Sequence, residues 1–446
     1  MVIPAEITII SPEITPRLKY VTNFLSSALG VTFTVTPSPD SNHEFPDTGR
    51  CIINYSDKPI TGSFNIFAAG LLHESGIKQQ EPGVLKRHEQ TLLFPAPVAF
   101  DLPVDLFSAV FYLLSRYEEY LPFKPDRHGR FEADQSLAYR HNFLEEPVVD
   151  QWIEAFKSAM NLKYPELKFP RQVFRFVLTF DVDSPWAYLH KGTLRTACGL
   201  FKNAIKLNLS EIRHRLNVIR GKCPDPYDTY DYIRQTEQRF KCHSIFFFLA
   251  GNYGRYDVNY ALDTVQFRNL IDCLKAERTI GIHPSYKANR SAGLLKSEFE
   301  RFSQFLGKKP EISRQHFLIL KLPDTYRRLI SLGVHTDYSM GYASCIGFRA
   351  GTSMPFRFYD LMDECETQLL IHPFILMDVT LRQYLGLNPG EAIIRINRLV
   401  EKVKAVNGIF TSLWHNESLS EQGVWRGWRR VFESMIEKVT RDEGKQ

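Results

Sequence analysis

The chain has 446 residues, of which 44% are hydrophobic and 24% charged, a balance that can build one or two packed domains and excludes a disordered or fibrous class. A formal net charge of +5 is too small to argue for nucleic acid, and seven cysteines without a Cys-x-x-Cys pair point to free thiols in a reducing compartment. No stretch reaches the roughly 20 apolar residues of a membrane helix, and residues 1–6 lack the basic start and apolar run of a secretory leader, so a soluble cytoplasmic protein is expected.

Residues 7–10, 31–35 and 51–55 have the apolar, β-branched character of strands, and 14–29 has the spacing of an amphipathic helix, with a Pro/Ser/Asp-rich connection over 37–46. This predicts a small α/β unit without a nucleotide-binding glycine loop. Helical spacing over 105–120 ends before Pro122. The turn-like run Asp126-Arg127-His128-Gly129-Arg130-Phe131 can pack between domains or reach a ligand. A further helix is predicted over 148–160, and the proline-bounded stretch 165–170 marks a boundary between domains at 1–168 and 172–440.

The second domain opens on Phe174-Arg175-Phe176-Val177-Leu178-Thr179-Phe180-Asp181-Val182-Asp183, a short apolar run stopped by Ser184-Pro185 and read as a buried strand. Two carboxylates one residue apart at its end are costly unless a cation or hydrogen bonds hold them, and they can serve a metal or cap the next segment. Residues 190–222 then form an insertion with eight Lys or Arg against one acid, Glu211, interleaved with Leu200, Phe201, Ile205, Leu209, Ile212, Leu216 and Ile219, and with Ser210 as the expected cap of its second helix. Such a basic amphipathic hairpin can lie on an anionic membrane, hold an anionic glycan, or place a solvated face over an apolar packing face.

From residue 227 helices and strands alternate. Helices are predicted over 230–240, 264–276, 292–306 and 324–332, and the strand-like runs 243–249, 279–282, 311–313, 333–337, 368–371 and 408–414 follow or separate them. Repeated alternation of this kind predicts parallel strands within a helical layer. Asp181, Asp183, His283, Arg314, His316, Asp337, His372 and His415 all fall at or just past the end of a strand-like run, the positions where a β/α barrel assembles its site. Imidazole and carboxylate together suit zinc or a related divalent ion.

Phe176 to Asp183, Gly281-Ile282-His283, Gly307-Lys308-Lys309-Pro310 with Arg314, Gly333 to Asp337, and Ser412-Leu413-Trp414-His415 resemble, in order and spacing, the successive motifs of the polysaccharide deacetylase (NodB homology, carbohydrate esterase family 4) domain. Upstream, Ser115-Arg116-Tyr117-Glu118-Glu119 and the 126–131 run are similar to an uncharacterised N-terminal domain found in a Bacteroidetes-type branch of these proteins. The resemblance implies a distorted (β/α)7 barrel preceded by a smaller α/β N-terminal domain. It also implies metal-dependent removal of an N- or O-acetyl group from a sugar, in surface-polysaccharide or lipopolysaccharide metabolism. By position it makes Asp181 the general base, Asp183 and His283 metal ligands, Arg314 the group that orients Asp181, and His415 the general acid; Asp337, another strand-end carboxylate, is expected to orient His415.

One position departs from the pattern: four residues after His283 the family has a second histidine, and here stands Lys287. A protonated ammonium cannot ligate a metal, so His316 is assigned as the replacement ligand, with His372 in reserve. Trp186, Tyr188, Tyr286, Trp414 and Trp425 are the aromatic residues expected along a sugar-binding cleft. Expected partners are a carbohydrate substrate, no nucleic acid, and a peripheral membrane contact through residues 190–222. Two other readings stand beside the hydrolase: a glycosyltransferase using Asp-x-Asp on a sugar nucleotide, and a catalytically degenerate glycan-binding or scaffold protein, for which Lys287 is the motive.

Overall fold

The computed structural model describes residues 6–38, 51–87, 90–260, 262 and 264–441, so most of the 37–46 connection lies outside the described residues. Strands β1 (Glu6–Ser11), β2 (Thr32–Pro37), β3 (Cys51–Ser56) and β4 (Phe64–Phe67) form a parallel sheet of order β2-β1-β3-β4. The helix Pro16–Leu29 crosses between its first two strands. Its start is set by Thr15, whose side chain accepts from the Leu18 N–H, and by Pro16; Gly30, at φ 66°, ends it by donating to Ser26 O. Strands β5 (Val84–Arg87) and β6 (Gln90–Leu93) make a small antiparallel pair.

The predicted helix over 105–120 is shorter in the structure. It runs Leu106–Leu114, capped by Asp105, and breaks at Arg116, whose φ is 54°. The break is stabilised by charge. It turns the buried Arg116 guanidinium onto Glu118 at 3.0 Å and Glu119 at 2.8 Å, and Glu119 also accepts from Arg349 at 2.7 Å.

The second sheet contains β7 (Arg175–Val182), β8 (Ser244–Leu249), β9 (Thr279–His283), β10 (Ile312–Ser313), β11 (Thr336–Asp337), β12 (Phe356–Asp360), β13 (Cys365–Ile371), β14 (Leu376–Met377) and β15 (Ile409–His415). Their order is β12-β13-β11-β10-β9-β8-β7-β15-β14, and every pair is parallel except β12 with β13. Parallel neighbours require crossovers, which the helices Tyr230–Phe240, Val265–Lys275, Ala292–Leu306, Asp324–Ser331 and Pro389–Ala405 supply. The fold is thus α/β with parallel sheets. The stretch from β13 to β14 borders both ends of the parallel array: Leu370 and Ile371 pair with β11, and Leu376 and Met377 pair with β15.

Phe180 of β7 stacks on Phe246 of β8 at 5.2 Å and meets Phe432 of the helix Trp428–Thr440 at 5.8 Å. Burying each such side chain is worth about 1.5–3 kcal/mol, so this layer holds the central strands in register. In that register Asp181 lies beside His415 on one side and Phe247 on the other. The hydrophobic core runs without a break from the first sheet into the second.

The 190–222 insertion forms two helices, Gly192–Ile205 and Leu209–Ile219. Asn208 caps the second, accepting from the Glu211 N–H at 3.1 Å. Ser210, the expected cap, instead donates to Asn208, because it already lies within the first helical turn. Among the described residues no helix is long and apolar enough to cross a membrane.

Candidate metal and catalytic site

The parallel strands deliver their carboxyl ends to one side of the sheet, where β7 ends before Asp183, β9 at His283 and β15 at His415. Ligand atoms of Asp183, His283 and His316 all lie within 4.8 Å of one another. His283 Nε2 stands 3.4 Å from Asp183 Oδ1, and His316 Nε2 stands 3.4 Å from Asp183 Oδ2.

The far nitrogens of both rings are already committed. His283 Nδ1 donates to the Arg314 carbonyl at 2.5 Å, since a carbonyl can only accept, and His316 Nδ1 pairs with Asp257 Oδ1 at 2.9 Å. Each ring therefore turns Nε2 toward Asp183, the arrangement that outer partners impose on metal-ligating histidines. Asp183 Oδ1 is buried with no hydrogen-bond partner, an expense for a carboxylate that a cation removes. One carboxylate and two imidazoles are a donor set that fits a divalent ion.

His316 reaches this place through a strained turn. Phe317 and Leu318 follow it at φ 60° and 54°, a left-handed conformation costing bulky residues about 1–3 kcal/mol each. The turn is held by Gln315 N–H donating to Ser339 Oγ at 2.8 Å and by Arg130 donating to Phe317 O at 3.0 Å. Lys287, by contrast, is exposed to solvent.

Arg314, fully buried, donates to Asp181 Oδ1 and to Thr179 Oγ1, both at 2.8 Å, and to Tyr338 O at 2.9 Å. On the opposite wall His415 Nδ1 meets Asp378 Oδ1 at 2.8 Å, and its backbone N–H donates to Asp378 Oδ2 at 2.7 Å. Burial works against a charged ring at His415, but Asp378, helped by Asp183 and Asp181, outweighs it and raises its pKa to about 10. Burial likewise opposes charge on His316, and Asp183 with Asp257 overcomes it, raising that pKa to about 9. Glu417, beside His415, is pushed upward by burial.

Asp337 does not orient His415. It accepts from Ser313 Oγ at 2.8 Å and from the Ser339 N–H at 2.9 Å, because β11 ends across the sheet from β15. Its burial raises its pKa. Asp378 takes the position foreseen for it. His372 stacks on Tyr338 at 4.8 Å and meets Thr411 Oγ1 at 3.3 Å, away from Asp183; burial lowers its pKa to about 4.

The cleft over Asp183 has a volume of about 410 Å³ and is lined by Asp181, Asp183, His283, His316 and His415, with Phe317 and Tyr384 as its aromatic walls. Trp414 does not face it: strand alternation turns that ring into the core against Phe432 at 5.0 Å, while His415 turns to the cleft. Trp425 packs on Trp428 at 5.3 Å. Trp186 meets His190 and Tyr260, Tyr188 donates to Glu211 at 2.6 Å, and Tyr286 contacts His128 Nδ1 at 3.1 Å, so none of these three lines the cleft either. The 126–131 run both packs and reaches: His128 meets Tyr286, while Arg127 and Arg130 line the cleft. Asp257 escaped the sequence reading because it ends no strand-like run, whereas Asp378 directly follows the apolar run 374–377 and only its pairing with His415 had to come from the fold.

Residues 7–165 match the model of a family of unknown function, DUF7033. The match covers the first sheet and its helices, including Arg127 and Arg130. No curated protein matches the sequence. Among solved structures there is a likeness to one described as a "putative polysaccharide deacetylase from Mycobacterium smegmatis", at 15% identity and a TM-score of 0.40, covering 61% of this chain and 86% of that one.

Proposed function

We propose that this chain is a metal-dependent hydrolase that removes an acetyl or other acyl group from a sugar in surface-polysaccharide or lipopolysaccharide metabolism. The observation that carries the reading is the three-part wall of the cleft: the Asp183, His283 and His316 cluster, with Asp181 held by Arg314 on one side and His415 held by Asp378 on the other. The motif resemblance over 172–440 supports the same reaction. We take 1–168 and 172–440 as two domains, and the strands β7 to β11, the stretch 365–377 and β15 as a distorted (β/α)7 barrel.

A divalent ion held by Asp183, His283 and His316, zinc by the preference of the donor set, supplies Lewis acidity when bound. Asp181, with Oδ1 engaged by Arg314, keeps Oδ2 to accept the proton of the attacking water. Attack on the acyl carbonyl gives a tetrahedral intermediate, and its collapse breaks the bond from acyl carbon to sugar nitrogen or oxygen. His415, its Nδ1 fixed by Asp378, delivers the Nε2 proton to the departing amine or alkoxide. The products are a carboxylate and the free sugar amine or hydroxyl.

Elemental analysis combined with acetate release from N- and O-acetylated sugars tests the proposal. Wild type should carry one equivalent of metal, and Asp183→Ala and His316→Ala should lose it. Asp181→Asn should keep the metal and lose about 10²–10⁴ in turnover. Absence of metal under every loading condition would overturn the hydrolase reading in favour of a glycan-binding or scaffold protein, and release of a nucleoside diphosphate from a sugar nucleotide would favour a glycosyltransferase.

A further inference from the structure

A helix packed on a folded protein normally turns its apolar stripe inward. The first helix of the 190–222 hairpin does the reverse. Leu194, Ala197, Cys198, Phe201 and Ile205 recur at helical spacing along one face of Gly192–Ile205, and all five are exposed, Leu194 at 77%, Phe201 at 69% and Ile205 at 67%. Leu207 and Leu209, at the bend, are 83% and 73% exposed. No residue of the first helix is buried.

The hairpin is tied to the body by Val218 of its second helix, buried against Ala187 and Tyr188, and by polar contacts. Arg195 donates to Asn259 O at 3.1 Å and lies 3.6 Å from the Tyr253 ring centroid. Glu211 accepts from Tyr188 at 2.6 Å, and Arg215 lies over the Tyr188 ring at 4.9 Å. Gly199 permits this close crossing, since a Cβ there would stand 1.8 Å from Arg215 Nη1. The apolar face is thus turned outward by the anchoring of the polar one. By the helical rotation per residue, Lys202 and Lys206 lie together along one side of the stripe, the side of Arg195, and they are exposed together with Arg213, Arg220 and Lys222. The single acid of the hairpin, Glu211, is spent on Tyr188.

We infer that this hairpin docks the protein on an anionic lipid bilayer. The stripe from Leu194 to Ile205 seats at the level of the headgroups and upper acyl chains, and the flanking cations meet lipid phosphates, the pairing of apolar area with positive charge that interfacial helices use. The hairpin follows the carboxyl end of β7, the end of that strand next to Asp183. The inference is independent of the hydrolase reading, and its test measures binding alone.

Co-sedimentation of the full chain with vesicles of equal parts phosphatidylcholine and phosphatidylglycerol, and with phosphatidylcholine alone, provides that test. The chain should bind the anionic vesicles preferentially and less well in about 1 M salt, where the screening length falls to about 3 Å. The combined substitution Leu194→Ser, Phe201→Ser and Ile205→Ser should weaken binding at least about tenfold and leave thermal unfolding unchanged, because the three side chains are exposed. Lys202→Gln with Lys206→Gln should reduce the preference for phosphatidylglycerol. No binding to the anionic vesicles, or binding that the serine variant leaves intact, would overturn the proposal. Self-association of wild type that the serine variant abolishes, without vesicle binding, would do so in favour of a protein interface.

Discussion

His415 is held twice by one carboxylate, through its ring and through its backbone N–H, and both bonds come from Asp378. The folded pKa of about 10 lies above the ordinary 6.5, so the ion pair contributes stability that is complete below about pH 6.5 and is lost as pH rises through about 10. In chelator-treated protein the Tm advantage of wild type over His415→Gln should therefore be largest at and below pH 6.5 and shrink toward pH 10. Under the proposed hydrolase mechanism Asp378 positions His415, so Asp378→Asn should move the alkaline limb of activity to lower pH, read from a kcat/KM profile. Asp257 stands behind His316 in the same way. Asp257→Asn should weaken metal affinity by about 10–100-fold in competition with a chelator, with Asp181 and Arg314 untouched.

At the scale of elements, the site depends on how closely the strands can approach. Gly281 lies in the middle of β9, where a Cβ would come within 2.5 Å of the Phe247 ring and 2.8 Å of Ile312 Cγ1. Neither neighbour can retreat: Phe247 is fully buried and Ile312 is fixed in the short strand β10. Gly281→Ala should cost about 1–3 kcal/mol in denaturant unfolding, the range for overpacking a filled core. Because β9 ends at His283, the same variant should also bind metal less tightly. The alternation of strand faces, which the sequence shows directly, explains why Trp414 and His415 part company at the end of β15, one into the core and the other into the cleft.

Across the whole molecule the two sheets share one core, and their contact is charged as well as apolar. Glu119 accepts from Arg116 and Arg349 where all three are buried, and those guanidinia hold its pKa low in spite of burial. Glu119→Ala leaves two cations without this partner, and it should cost about 3–5 kcal/mol while leaving unfolding a single transition by both fluorescence and circular dichroism. The α/β alternation, most strand ends and the residues of the Asp183, His283 and His316 cluster were legible in the sequence, because apolar periodicity and an abrupt carboxylate or imidazole after a strand are local signals. So was the preference for His316 over Lys287 as a candidate ligand, since a protonated ammonium has no lone pair, and His316 stands with Asp183 and His283 while Lys287 is exposed. Asp257 was not legible, because a hydrogen bond between residues 59 positions apart leaves no periodic trace; Asp378 does carry the local signal after the apolar run 374–377, but not its pairing with His415. Nor could the sequence orient the 190–222 hairpin: amphipathic spacing defines two faces, and only the tertiary contacts of Arg195, Glu211, Arg215 and Val218 decide which of them meets solvent.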